Sequence, residues 1–145
     1  MSLTRLIYYS LRNPSVSADV PKLIETSIRN NRAMNVTGIL HYNKHAFLQV
    51  LEGHRAEVSA IYHRITTDTR HINIILVECV GVNERMFPYW SMALHEGMDD
   101  TTRSVFLRYF GSTKVNPETV GPQELLKALQ ELSADLKHNL PAEPD

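Results

Sequence analysis

The chain has 145 residues, 43% of them hydrophobic and 21% charged, with 15 basic against 16 acidic side chains. That length suits one domain with a substantial core and is too short for two full ones. A net charge of -1 without a long basic run points away from nucleic acid and anionic membranes. No apolar stretch approaches the roughly 20 residues of a membrane-spanning helix. The N-terminus, Met-Ser-Leu-Thr-Arg, runs directly into a strand pattern and does not read as a signal peptide. A single cysteine, Cys79, excludes an internal disulfide and suits a reducing, cytoplasmic setting.

Leu3 to Ser10 reads as a first strand, with Leu6, Tyr8 and Ser10 on one face and Ile7 and Tyr9 on the other. Asn13-Pro14-Ser15 breaks it. A helix follows from about Ser17 or Ala18 to Asn30. Val20, Leu23, Ile24, Ser27, Ile28 and Asn31 form its inward stripe, and Lys22, Glu25 and Arg29 project outward. The stripe ends in the small polar groups of Ser27 and Asn31, where a helix that only covers a core would more often carry Leu or Ala.

Asn35 to Gly53 reads as a hairpin around a Tyr42-Asn43-Lys44-His45 turn. In its second strand, Ala46 to Glu52, period-two alternation puts Phe47, Gln49 and Leu51 on one face and Leu48 and Val50 on the other. Gln49 thus sets a primary amide amid residues that favour burial. Left unpaired there, it would cost about 1–3 kcal/mol. The fold must supply partners, from neighbouring side chains or from something bound.

A second helix is expected from about His54 to Thr67, with Val58, Ile61, Tyr62 and Ile65 inward. Asp68-Thr69-Arg70-His71 leads to a fourth strand, about Ile72 to Val82, and Asn83-Glu84-Arg85 turns the chain toward a fifth around Pro88 to His95. The order β-α-β-β-α-β-β is an α+β, ferredoxin-like pattern plus one strand. Two helices cover one sheet face, and the other still needs a cover. Asp99-Asp100-Thr101 is an N-terminal signal for a helix to Tyr109 or Phe110, stopped by Gly111-Ser112. A last helix begins near Pro122, with Leu125, Leu126, Leu129, Leu132 and Leu136 in a narrow stripe. This pair either covers the open sheet face or serves as a subunit contact. The organisation expected is therefore a domain over residues 1–98, a helical extension over 99–140 and a loose tail over 141–145.

Taken singly, the polar residues are ordinary. Tyr8 reads as a core aromatic with its hydroxyl tied off, and Asn30-Asn31 as a helix C-cap. Leu23 and Ile65 read as core, Trp90 and Met92 as strand residues packing on a helix, and Arg64, Asp68 and His71 as a solvated helix end. Cys79 reads as an inert buried thiol. His41 and His45 straddle a turn, which denies them helical metal-ligand geometry; no metal site is expected.

Together, however, Arg5-Leu6-Ile7-Tyr8, Asn30-Asn31, Thr37-Gly38-Ile39-Leu40, Phe47 to Gly53, Tyr62-His63-Arg64-Ile65 and Phe87 to Met92 resemble the BLUF family of flavin-using blue-light sensors. The likeness runs from about Leu3 to Ala93 and is nearest to the short, stand-alone members. It implies a photoreceptor and not an enzyme. Tyr8 corresponds to the redox-active tyrosine, and Gln49 to the glutamine between it and the flavin. Asn31, with Asn30 beside it, corresponds to the holder of the ring's pyrimidine edge. Leu23 and Ile65 correspond to the aliphatic residues that sandwich the isoalloxazine, with Ser27 on the same helix stripe as Leu23. Arg64, Asp68 and His71 lie where the ribityl-phosphate tail should emerge. Trp90 and Met92 correspond to the fifth-strand pair that carries the signal. The implied cofactor is FAD, with FMN or riboflavin as alternatives. The implied partners are a homo-oligomer and a downstream protein. Two other readings compete: an acylphosphatase-like hydrolase, which needs an Arg and an Asn on a loop near the N-terminus and finds Arg5 inside the first strand and only Arg12-Asn13 beyond it, and a cofactor-free interaction module built on the Leu125–Leu136 stripe.

Overall fold

A computed structural model of the chain describes residues 2–16, 20–88 and 93–136. The expected signalling pair Trp90 and Met92, the 141–145 tail, and the side chains of Val20 and Leu136 lie outside what is described. The elements are β1 (Leu3–Arg12), α1 (Val20–Ala33), β2 (Thr37–Tyr42), β3 (Ala46–His54), α2 (Arg55–Thr66), β4 (His71–Val82), β5 (Ala93–Glu96), α3 (Asp100–Phe110) and α4 (Pro122–Leu136). The sheet order is β4-β1-β3-β2-β5. β1 pairs antiparallel with β3 and β4, β2 pairs antiparallel with β3, and β5 joins β2 in parallel. This is the ferredoxin-like α+β sheet with one added edge strand.

Alternation sends the side chains of β1 and β3 into two cores. Leu6, Tyr8, Phe47 and Leu51 meet Leu23 and Ile24 of α1 and Val58 and Ile61 of α2. Ile7, Leu48 and Val50 meet Val105 and Phe106 of α3 and Leu125, Leu126, Leu129 and Leu132 of α4. The leucine stripe therefore covers the second sheet face, and among its described side chains it is not the exposed surface an interaction module would need. Asp99 starts α3 by accepting a hydrogen bond from the Thr102 N–H at 2.8 Å, and Gly111 ends it at φ 69°. Pro122 is the first residue of α4, where its missing N–H removes no helical hydrogen bond.

Several expectations need correcting. α1 does not close at Asn30-Asn31; it runs on to Ala33, and the left-handed residue is Asn35 at φ 54°. Asn31 instead uses its main-chain carbonyl to accept the Val36 N–H at 2.9 Å. Tyr42 belongs to β2, leaving a three-residue turn in which Asn43 Oδ1 accepts from the N–H groups of His45 and Ala46. Among the described residues the fifth strand covers Ala93–Glu96, and Pro88, expected to open it, lies in a turn. The reason lies one step upstream, where the Glu52 carboxylate accepts from the main-chain N–H groups of Met86 and Phe87 and holds that segment away from strand geometry. Cys79 is exposed, not buried, because β4 is an edge strand with a neighbour on one side only.

Glu52 is fully buried, and its charge is met by Arg5 Nε at 2.9 Å as well as by those two N–H groups. Arg85 ties the same corner together by donating to the carbonyls of Glu52 and Asn35 and to the Thr37 hydroxyl. Gly38 is required where β2 crosses close to β3, since a Cβ there would run into the Val50 carbonyl oxygen.

Candidate functional site

Between the sheet and the two helices α1 and α2 lies a cavity of about 170 Å³. β1 contributes Tyr8 to it, β3 Phe47 and Gln49, and β2 Leu40. α1 supplies Leu23, Thr26, Ser27, Asn30 and Asn31, α2 supplies Ile61, Arg64 and Ile65, the loop into β4 supplies Asp68 and Arg70, and β4 opens with His71. Ten sequence-derived candidates, Tyr8, Leu23, Ser27, Asn30, Asn31, Gln49, Arg64, Ile65, Asp68 and His71, thus come together at one place. Trp90 and Met92 complete the expected set but fall outside the described residues.

At the floor, Tyr8 and Gln49 are cross-strand partners on β1 and β3. The Tyr8 hydroxyl donates to Gln49 Oε1 at 2.5 Å. Burial, followed by the nearby Tyr62 and Asp68, pushes the Tyr8 phenol far above its ordinary range, so it stays a neutral donor. A bulge falls at this point: Ile7 pairs with Glu78 and Tyr8 with Leu76, which leaves one extra residue in β4. Bulges re-aim neighbouring side chains and are common beside functional sites.

His71 closes one wall. Its Nδ1 is 2.7 Å from the Ser10 hydroxyl, and its ring packs edge-on to Tyr8 and tilted against Phe47 at 4.6 Å between centres. Burial, with Arg70 adding and Asp68 opposing, holds the imidazole below its ordinary value of 6.5. At the mouth, Arg70 grips Asp68 with Nε at 2.9 Å and Nη2 at 2.6 Å. Burial alone would raise the Asp68 carboxyl, but these hydrogen bonds and the Arg70 charge outweigh it and hold the carboxyl below its ordinary range.

The donor set suits an isoalloxazine. Leu23 and Ile65 reach the cavity from different helices and give its wall apolar surface that a flat ring could pack on. Asn31 and Gln49 bring primary amides, which carry donor and acceptor atoms together, to the cavity wall, and the edge of an isoalloxazine carries the same mixture. The cationic Arg64 and the Asp68–Arg70 pair line the same cavity.

Thr26, Leu40, Phe47, Ile61 and Arg70 also line the cavity and were not among the candidates. Phe47 was legible as the same-face neighbour of Gln49, and Ile61 sits one helical turn before Ile65. Arg70 had no periodic signal, because it lies in a turn. The competing hydrolase reading loses its cations: Arg5 is committed to Glu52, while Arg12 donates to the Asn43 carbonyl and lies over the Phe47 ring.

Comparison with known proteins agrees with this architecture. The family described as "BLUF: Sensors of blue-light using FAD" matches residues 3–93. The chain belongs to the BLUF family of blue-light sensors, whose domains bind flavin. It is 36% identical over 110 residues to the "Blue light- and temperature-regulated antirepressor BluF" of Escherichia coli (strain K12), covering 72% of this chain but 27% of that protein. It is 32% identical over 88 residues to "Photoactivated adenylate cyclase subunit beta" of Euglena longa, covering 60% of this chain and 10% of that one. The chain therefore corresponds to a minor part of these relatives' length. Among solved structures, BlsA in its photo-activated state superposes with a TM-score of 0.81 at 27% identity, covering 99% of each chain. The dark-state structure of BlrB, a BLUF protein, gives a TM-score of 0.72 at 28% identity, over 90% of this chain and 97% of that one.

Proposed function

We propose that this chain senses blue light through a Tyr8–Gln49 relay that rearranges hydrogen bonds against a flavin, FAD being the expected form. The observation that carries the reading is the buried Tyr8 hydroxyl donating to Gln49 Oε1 at 2.5 Å in the wall of an amide-lined cavity. A bound flavin supplies a light-absorbing oxidant. Tyr8 gives up an electron, and its phenolic proton moves along the existing hydrogen bond toward Gln49. With its carbonyl committed to Tyr8, Gln49 would have its NH2 left to meet a bound ring. Rotation of the amide, or its imidic tautomer, exchanges donor and acceptor without large movement. Asn31 holds the ring edge from α1, Asn30 and Ser27 support it, and Leu23 and Ile65 pack on the ring faces. Arg64, Asp68 and His71 receive the tail side. No substrate is turned over.

The signal needs more than this one switch. A hydrogen bond contributes roughly 0.5–1.5 kcal/mol net, whereas moving a two-state equilibrium from 1:99 to 99:1 takes about 5.5 kcal/mol. A bistable element must amplify it, and the fifth strand with Trp90 and Met92 is our candidate. The route out of the pocket follows β3 to Glu52, which holds Met86 and Phe87, and Phe87 is packed with α3 and α4 in the far core. In this division residues 1–98 sense light and the following helices report it to a protein partner, through a self-associated form of the chain in the cytoplasm. The word "antirepressor" in the name of the E. coli relative favours output by protein contact.

The test is optical. The purified chain, loaded with FAD and separately with FMN, should be yellow, shift its absorption to the red under blue light and relax in darkness. Tyr8→Phe and Gln49→Leu should bind flavin and lose the shift. A normal shift in either variant would remove the relay.

A further inference from the structure

Tyr8 has a second phenol beside it. Tyr62, on α2, stands with its ring centre 5.9 Å from that of Tyr8 and tilted by 51°. Tyr8 is 1% exposed, while Tyr62 is partly exposed, so the pair leads from the pocket floor to the surface. The surface there continues to the exposed Cys79, which pairs with Leu6 of β1 and so shares the sheet face of Tyr8. Cys79 is near enough to Tyr62 to add to burial in raising its phenol pKa. Tyr9, although adjacent in sequence to Tyr8, packs in the core on the other side of the sheet.

The two phenols differ in where a proton can go. The Tyr8 hydroxyl faces an amide oxygen, a very weak base, inside the protein. Tyr62 is partly exposed, and solvent at that surface accepts and disperses a proton. Oxidation coupled to proton loss is therefore easier at Tyr62, and an oxidised Tyr8 would be filled from it downhill.

We propose that Tyr62 is a second redox residue in series with Tyr8, re-reducing it on those light events in which the electron does not return from the flavin. The step rests on the reading of Tyr8 as electron donor. In it, Tyr8 first gives one electron to photoexcited flavin and its proton toward Gln49. Tyr62 then breaks its O–H bond, passing one electron to Tyr8 and its proton to water, while Tyr8 recovers a proton from the Gln49 side. Tyr8 is restored, Tyr62 is oxidised by one electron, and the flavin retains the electron it received. The outcome is a slow, dose-dependent oxidation at the α2–β4 surface that competes with the reversible cycle.

The flavin-loaded full chain is illuminated with blue light in the presence of a nitroso spin trap, and adducts are located by peptide mass spectrometry. Adducts at Tyr62 should rise with dose and fall several-fold in Tyr8→Phe. Those at Tyr109, on α3 across the sheet, should not change between the two proteins. Tyr62→Phe should show a normal red shift and survive several-fold more light cycles before its flavin signal fades. Equal adducts at Tyr62 in Tyr8→Phe, or unchanged fading in Tyr62→Phe, would overturn the series arrangement while leaving the relay intact. Absence of a red shift in the unmodified chain would remove the relay and this step with it.

Discussion

The same strands, β1 and β3, build two interiors that end differently. Toward α3 and α4 the sheet meets Leu125, Leu126, Leu129 and Leu132, side chains that satisfy their environment by apolar contact alone, and the centre of that interface is filled. Toward α1 and α2 the same strands present Tyr8 and Gln49, the helices answer with Ser27 and Asn31, and a cavity stays open. Burial of apolar surface is non-directional and tolerates any good fit. Polar atoms demand partners at set distances, and the helix pair over Tyr8 and Gln49 leaves a cavity beside them. A second cavity, of about 220 Å³, lies at the hairpin end of the α3–α4 side, near Tyr9, His41 and Phe106. It leaves the leucine-lined centre of that face intact.

The sharpest way to break this contrast is to cut into the filled face. Leu129→Ala removes a side chain only 1% exposed and should cost about 2–5 kcal/mol. Urea unfolding would show it, while the remaining folded protein should keep its red shift. On the open face, Gln49→Leu leaves the Tyr8 hydroxyl without its acceptor and should cost about 1–3 kcal/mol. There the optical response should vanish, so both variants lose stability but only the one on the open face loses the signal.

Acid should act on the open face as well. His71 is held below its ordinary value of 6.5, so the unfolded chain binds more protons than the folded one as pH falls through that value. The His71 contribution is thus present above about 6.5 and is lost on acidification toward the folded pKa. Asp68, also held low, adds a second loss in the same direction at more acidic pH, below the ordinary carboxylate range of about 4. Unfolding midpoints measured from pH 8 downward should fall first through the His71 window, and His71→Gln should flatten that first limb alone. The smallest effect belongs to the exterior. Arg108 reaches Glu131 at 2.7 Å, but both are solvent-exposed, and Arg108→Ala should leave the unfolding midpoint within error.

Periodicity carried the layout far, and it did so for a local reason. The alternation of Leu6, Tyr8 and Ser10 against Ile7 and Tyr9, and of Gln49 against Leu48 and Val50, is a property of each strand by itself. The α1 stripe and the caps at Asp99, Gly111 and Pro122 are equally short-range. Tyr8 and Gln49, 41 positions apart in the chain, could be assigned the same face separately but not shown to touch. Their contact needed the β1–β3 register. The same limit explains the misplacements. Asn30-Asn31 looked like a helix end because asparagine tolerates the left-handed region, yet Asn35 takes that role. Cys79 looked buried because its strand is apolar, but edge position is a property of the assembled sheet. The turn at Pro88 depends on a carboxylate at Glu52, more than thirty residues away.

By itself, then, the sequence determined the order of elements, the two faces of each strand and the chemical types available on the polar one, because these depend on neighbours within a turn or two. The tertiary structure decided which phenol meets which amide, which arginine is spent on a carboxylate, and which strand lies at the rim. Those outcomes depend on long-range pairing, and no local pattern encodes the distance between residues that only folding brings together.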